Sequence, residues 1–435
     1  MDKIHSLRGM NDLIGQKVDK DNISDRIFFT EKILRNLFEN YCLSEIRTPA
    51  LEEENLFKRS VGDSSDIVNK ELYSFLDKNE KRITLRPEGT AGVIRSMIEK
   101  KIDGDSHRLW YLGPMWRYER PQKGRFRQFY QAGVEILGHK EGFVELEMIS
   151  LICSINKRLG IRKPLIKINH LGNKDSKKAF CKDLVDYLKP FSSKLDEKDL
   201  ERLNKNPLRV LDSKSSETQS ILKNAPVISD YLSKNSLNLL ELIKNTFSKD
   251  CDIEIDNTLV RGLDYYTGFV FEATSSELGA QDAYLGGGRY DNLCSQLGGK
   301  KLPAIGMAIG IERLASLVNT KEHNPPLISF IILSSKIEQK AYKIAHDLRL
   351  SNNKINLDIH LSEGSLKSKL RRASKNNAYY ALIIGEEELK SRTITVKPLL
   401  NVYGAPKEAK QYSVDLKDLD DFLKMIALEI AYNHE

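Results

Sequence analysis

The chain has 435 residues, 40% of them hydrophobic and 30% charged, with a formal net charge of +7. That length exceeds one ordinary hydrophobic core, so two or three domains are expected. The composition is that of a globular protein, and no run of about 18 apolar residues occurs, which excludes a spanning helix and a membrane partner.

In chain order, Ile23 to Tyr41 places Ile27, Phe28, Ile33, Leu34, Leu37 and Phe38 at helical spacing, which predicts an amphipathic helix. Short β-like runs follow at Ile83 to Leu85, Leu109 to Leu112 and Gln128 to Ile136, with a helix from Gly89 to Lys100 after the first. Strands that do not alternate strictly with helices predict an α+β domain, an antiparallel sheet flanked by helices. Leu165 to Ile168 reads as a strand. Residues 171–250 are rich in Lys, Asn, Ser and Leu with helical periodicity, which predicts an α-helical insertion. Strands resume at Ile253 to Val260 and Thr267 to Thr274, followed by a turn at Gly286-Gly287-Gly288 and a strand–helix segment from Pro303 to Leu317.

Asn324-Pro325-Pro326 reads as a linker. Beyond it, strands at Leu327 to Leu333, Ile355 to Leu361, Ala378 to Ile384 and Thr393 to Val396 alternate with helices at Glu338 to Leu350, Ser365 to Asn377 and Leu419 to Ile430. That predicts a separate α/β domain. The expected division is therefore 1–170 with 251–323, 171–250, and 324–435.

Five cysteines (Cys42, Cys153, Cys181, Cys251, Cys294) are odd in number and form no C-x-x-C pair. Neither a disulfide framework nor a thiolate zinc site is expected, and no H-E-x-x-H occurs, so no metal is held by a protein motif. The start Met1-Asp2-Lys3-Ile4-His5 opens no secretory signal, and a cytoplasmic location fits.

Three segments carry chemistry. Arg117 to Arg127 holds five cations (Arg117, Arg120, Lys123, Arg125, Arg127) against one carboxylate, Glu119, between two strands. Arginine forks match phosphate oxygens bidentately, and Phe129 offers a flat face for a base. Charge alone would favour a solvated hairpin loop. Arg86-Pro87-Glu88-Gly89-Thr90 puts a carboxylate and a hydroxyl at a helix start, which suits an ammonium group; by itself it also reads as a Pro-Glu first turn capping a helix. Gly310-Ile311-Glu312-Arg313-Leu314 places an arginine early in a helix, against the helix dipole, so a partner for it is expected. Neither G-x-x-x-x-G-K-[ST] nor G-x-G-x-x-G is present. Bound ATP would have to be held by arginines and metal.

These residues resemble a known family. Trp116-Arg117-Tyr118-Glu119, the basic loop and Phe129 are similar to motif 2 of the class II aminoacyl-tRNA synthetases. Gly310 to Leu314 looks like motif 3, and Tyr41 to Leu51, with Pro49 after an Ile46-Arg47 strand, looks like the dimer-forming motif 1. Leu259-Val260-Arg261-Gly262-Leu263-Asp264-Tyr265-Tyr266 resembles the signature of the histidyl-tRNA synthetases, and Gly287-Gly288-Arg289-Tyr290-Asp291 their second signature. Leu7 to Asp12 and Thr84 to Thr90 match as well.

The resemblance implies a class II catalytic domain, a helical insertion, a C-terminal anticodon-binding domain and a homodimer. It implies the substrates ATP, L-histidine and tRNA(His), with Mg²⁺ accompanying ATP. Arg117 and Arg261 would bracket the α-phosphate and carboxylate as the catalytic cations. Arg125 and Arg127 would meet the β- and γ-phosphates, Phe129 and Arg313 would sandwich adenine, and Glu119 would approach its amino group or a metal. Glu88, Thr90 and Gln131 would hold the α-ammonium and carboxylate. Glu135 and Tyr266 would take the imidazole nitrogens, with Tyr265 and Tyr290 in the same pocket. Arg120, Gln122, Lys369, Arg371 and Arg372 would touch tRNA.

Three other readings compete. A regulatory subunit of ATP phosphoribosyltransferase shares the catalytic fold, but its members usually miss both the Arg261–Tyr266 signature and the C-terminal domain. A ligase for glycine, proline or threonine would lack Glu135 with Tyr266. A plain nucleic-acid-binding protein would need no Glu88 and Glu135 amid its cations.

Overall fold

The computed structural model describes residues 3–15, 23–62, 65–121, 124–279, 282–318, 325–352, 354–360, 364–399 and 410–432. They divide into two compact units, Met1–Thr320 and Lys321–Glu435.

The first unit opens with α1 (Ile23–Asn40), whose Ile27, Leu34, Leu37 and Phe38 face inward as the 3.6-residue period requires. After it come β1 (Ser44–Glu45), β2 (Leu51–Glu53), α2 (Glu54–Val61), β3 (Ser74–Leu76), β4 (Arg82–Leu85), α3 (Thr90–Glu99), β5 (His107–Trp116), β6 (Gln128–Leu137), α4 (Phe143–Leu159) and β7 (Pro164–His170). Helices α5 (Lys174–Leu188), α6 (Glu197–Lys205), α7 (Ser216–Leu222) and α8 (Lys234–Phe247) form the next stretch. Each begins on a side-chain cap, from Asn173, Asp196, Ser215 and Ser233 in turn. A cap of this kind stabilises a helix by about 1 kcal/mol. The unit closes with β8 (Asp252–Ile255), β9 (Thr267–Ser275), β10 (Ala283–Arg289), α9 (Leu293–Gln296), β11 (Ala304–Gly310) and α10 (Ile311–Leu317).

Eight strands form one sheet in the order β1-β5-β6-β11-β10-β9-β7-β8. Its interior pairings are antiparallel, and only the edge pairs β1–β5 and β7–β8 are parallel. Strands alternate their side chains between faces. On β6, Ala132, Val134 and Ile136 enter a core shared with α1, α4, α8 and α10. Gln131, Gly133 and Glu135 therefore share the opposite face. A small antiparallel sheet, β2-β4-β3, lies apart from the large one.

Several expectations need correction. Gly286, Gly287 and Gly288 make no turn; they lie inside β10, paired on both sides. A Cβ at Gly286 would strike the Arg261 guanidinium, and one at Gly287 would overlap Gly306 O of β11. The glycines permit close approach rather than chain reversal. The strand expected to reach Val260 ends at Ile255, because Asp256 Oδ1 accepts from Thr258 N (2.9 Å) and Oγ1 (2.6 Å), an Asx turn replacing the ladder. The motif 1 strand is Ser44–Glu45 rather than Ile46-Arg47, though Ile46 N still donates to Trp110 O at 2.8 Å. Against the expectation of no disulfide, Cys153 of α4 and Cys251 before β8 are joined, with Cα atoms 6.0 Å apart. They are separated by 98 residues, so local spacing gives no sign of the pair.

The second unit holds β12 (Leu327–Ile332), α11 (Glu338–Ser351), β13 (Asn356–Ile359), α12 (Leu366–Lys375), β14 (Tyr380–Ile384), α13 (Glu386–Ser391), β15 (Thr393–Pro398), β16 (Tyr412–Asp415) and α14 (Leu419–Tyr432). The sheet order is β13-β12-β14-β15-β16, parallel across the first three strands and antiparallel beyond. Ile328, Phe330, Leu382, Ile394 and Leu423 lie in its core. Asn324, where the linker was expected to start, lies outside the described residues.

Candidate active site

The polar face of the large sheet gathers the predicted residues around Glu135, which is fully buried. Thr90 Oγ1 donates to Glu135 Oε1 at 2.7 Å, and the Tyr290 hydroxyl donates to Oε2. A Cβ at Gly306 would overlap this carboxylate, so the glycine of β11 makes its room. Burial pushes the Glu135 pKa up to about 8, against the Tyr290 and Thr90 hydrogen bonds. Both oxygens of Glu88 cap α3, accepting Thr90 N at 2.6 Å and Ala91 N at 2.9 Å. The capping geometry read from Pro87-Glu88 is thus present, and it fixes a buried carboxylate in the pocket. Burial raises the Glu88 pKa, and the two backbone donors and Arg117 oppose it. The rings of Tyr265 and Tyr266 lie 4.7 Å apart by centroid, and Tyr290 meets Tyr265 edge-on at 5.6 Å.

Next to the carboxylates stands a group of cations. Arg117 Nε donates to Pro87 O at 3.0 Å, and its guanidinium lies 5.3 Å from the Phe129 ring centre. Arg125 pairs with Glu119 at 2.9 Å, and Arg127 Nε reaches Glu119 O at 3.2 Å while lying over Tyr118. Arg127 N and Gln128 N both donate to Gly9 O, so the Leu7–Asp12 segment seats the basic loop. Arg313 finds the partners its place in α10 demanded: Nε donates to Gly124 O at 3.1 Å and Nη1 to Ala283 O at 2.9 Å. Burial lowers the Arg313 pKa, and the neighbouring Arg125 and Arg117 add to the effect. Glu312 Oε1 accepts Tyr130 N at 2.8 Å and ties α10 to β6 between Phe129 and Gln131.

Arg261 lies over Gly286 and pairs with Glu272 Oε1 of β9 at 2.5 Å. Glu272 has no motif to announce it and was missed in the sequence. So was Tyr111, 5% exposed, whose ring on β5 is threaded between Gly89 and Gly133. Strand register sets Gly133 opposite this tyrosine, and Gly89 comes from the start of α3, so no local pattern marked it. The Tyr111 hydroxyl, Gln131 Oε1 and Arg261 Nε are buried and have no hydrogen-bond partner among the described residues. Each such group costs about 1–3 kcal/mol when left so. All three lie on the same face of the large sheet, which fits a ligand that carries both donors and acceptors. Arg120, Gln122, Lys369, Arg371 and Arg372 are the predicted tRNA contacts. Arg120, Arg371 and Arg372 are exposed, Lys369 Nζ donates to Ile332 O at 2.9 Å, and Gln122 lies outside the described residues. Among the described residues no cluster of three His, Cys, Asp or Glu forms a metal site.

This arrangement can hold an amino acid by its ammonium and a polar ring, and a polyphosphate beside it. Residues 24–314 match the family description of histidyl-tRNA synthetase, and residues 328–426 match that of the anticodon binding domain. The histidine–tRNA ligase of Francisella philomiragia subsp. philomiragia is 40% identical over 98% of this chain and 100% of its own. That of Picosynechococcus sp. is 40% identical over 91% of this chain and 93% of its own. The crystal structure of apo S. aureus histidyl-tRNA synthetase superposes with a TM-score of 0.76 at 29% identity, covering 97% of this chain and 100% of that one. The chain belongs to the histidyl-tRNA synthetase family, the histidine–tRNA ligases.

Proposed function

We propose that the pocket around Glu135 activates histidine with ATP and that the histidyl group then passes to the 3′ end of tRNA(His). The observation that carries this reading is the set of buried, satisfied carboxylates, Glu88 and Glu135, directly beside the cations of the basic loop. Histidine presents an ammonium to Glu88, Thr90 and Gln131. Its imidazole is set between Glu135 and Tyr266, with Tyr265 and Tyr290 walling the pocket. Two distinct ring nitrogens need two distinct partners, and a site that would leave one unpaired rejects the wrong ring.

The histidine carboxylate is already ionised, so attack on the α-phosphate needs no protein base. A P–O bond forms to the carboxylate as pyrophosphate leaves. Arg117 and Arg261 act where negative charge accumulates, through positioning and electrostatics. Arg125 and Arg127 serve the β- and γ-phosphates, and Phe129 with Arg313 holds adenine. Mg²⁺ brought with ATP would supply further charge neutralisation, and Glu119 and Glu272, the carboxylates within range of Arg313, would be the hard oxygen donors to hold it.

The chain works as a homodimer through the motif 1 region, supported by exposed Leu51, Phe75 and Leu76 on the β2-β4-β3 sheet. Its place of work is the cytoplasm, where its tRNA is charged; no helix among the described residues is long and apolar enough to cross a membrane. The test is ATP–pyrophosphate exchange with each amino acid in turn. Exchange is expected with histidine and Mg²⁺, and equal exchange with glycine, proline or threonine would overturn the reading. Sedimentation at 49.6 kDa at micromolar concentration would overturn the dimer.

A further inference from the structure

The stretch from Asp256 to Tyr266 carries Arg261 and belongs to no strand or helix. A segment outside the sheet ladder must have its backbone fixed by other groups, and here side chains share that task with neighbouring backbone. Asn169 Nδ2 of β7 donates to Leu259 O at 2.9 Å. Past Arg261 the partners come from the helical insertion. Arg209, in the turn after α6, donates from Nη2 to Gly262 O, the carbonyl directly after the arginine. Asn206, at the end of α6, donates from Nδ2 to Asp264 Oδ1 at 2.8 Å. Lys177 of α5 lies within range of the Asp264 charge. From the other side, a Cβ at Gly62 would lie 2.5 Å from Asp264 Oδ2, so the end of α2 closes on the same carboxylate. Asp264 N also donates to Val61 O at 3.4 Å.

The Arg261 side chain has little freedom to correct a shift in its backbone, since it is confined over Gly286 and bonded to Glu272. We propose that the helical insertion positions Arg261, with Asn206 and Arg209 acting as positioning residues that hold Gly262 and Asp264. The inference rests on the reading of Arg261 as the cation at the α-phosphate. It gives the insertion a part in amino-acid activation itself, through a polar contact made before any tRNA arrives.

The test is single-turnover formation of the adenylate by the full-length chain, comparing the parent with Asn206→Ala/Arg209→Ala, Asn206→Asp, Arg209→Lys and Arg261→Ala. The double variant is expected to lose roughly ten- to a hundredfold in rate, the scale of misplacing a reacting group by a distant change. Histidine and ATP should keep the KM values of the parent. Asn206→Asp, nearly isosteric but set against the Asp264 carboxylate, should share the loss even if the double variant melts early. Arg209→Lys retains a cationic donor for Gly262 O and should keep most of the rate. Parental rates in the double variant while Arg261→Ala is impaired would overturn the positioning role alone. A rise in both KM values without a rate loss, or a full loss in Arg209→Lys, would also overturn it. Parental rates in Arg261→Ala would overturn the reading of Arg261 and the inference with it.

Discussion

The hydroxyl of Thr90, the first residue of α3, donates to Glu135 near the end of β6 over 2.7 Å, although 45 residues separate them. Glu88 caps the same helix. One helix start therefore orients both buried carboxylates, and a shift of α3 would move the proposed ammonium site and the proposed ring site together.

Glu135→Gln should raise the histidine KM in pyrophosphate exchange by roughly ten- to a hundredfold, since a buried group left unpaired costs about 1–3 kcal/mol. The KM for ATP should stay put. Equal rises in both would place Glu135 outside histidine recognition.

The same residue gives a pH dependence. The folded chain holds the Glu135 proton up to about pH 8, whereas the ordinary carboxylate value is 4.5. A raised folded-state pKa stabilises fully below the unfolded value and is lost as pH rises through the folded one. Without histidine, the melting temperature of the parent should fall between about pH 5 and 9 relative to Glu135→Gln. A parent that gains on the variant across that range would contradict the assignment.

Tyr111→Phe removes only a hydroxyl that the protein leaves unpartnered. Stability should be unchanged or rise by up to about 1 kcal/mol, since a buried polar group is lost. Histidine binding should weaken by roughly two- to tenfold, the value of one neutral hydrogen bond. Loss of stability with intact binding would make Tyr111 a packing residue.

Arg261→Ala should slow adenylate formation by about 10²-fold or more while both substrates still bind, the scale for one preorganised charge donor. Lys should not restore the rate, because a point charge cannot reproduce the guanidinium fork. Near-normal single-turnover rates would make Arg261 structural.

Removing the second unit, from residue 324 onward, should leave histidine-dependent exchange largely intact while tRNA charging drops sharply. Within the full chain, Arg371→Glu and Arg372→Glu should flatten the salt dependence of tRNA binding by about 0.7–0.9 for each phosphate no longer neutralised. Lys369 belongs in a separate variant, since its ammonium is bonded to Ile332 O and its reversal would disturb the end of β12. Normal charging by the truncated chain would end the assignment of this unit to tRNA.

The sequence by itself determined most of the long elements and most of the chemical inventory. Residues of α1 and β6 announced their faces by spacing, and Arg117, Glu119, Phe129 and Arg313 announced themselves by motif, because period and motif are local properties. It could not determine what depends on register and close approach. The three glycines of β10 read as a turn until strands on both sides of them, and Arg261 above, showed why no side chain fits. Tyr111 became a pocket residue only when β5–β6 register set it opposite Gly133 and the α3 start brought Gly89 against it. Glu272 as the partner of Arg261, and the bonds of Asn206 and Arg209 to Asp264 and Gly262, join residues 11 to 58 apart. Hydrogen bonds over such separations arise from packing, so only the tertiary structure decides them.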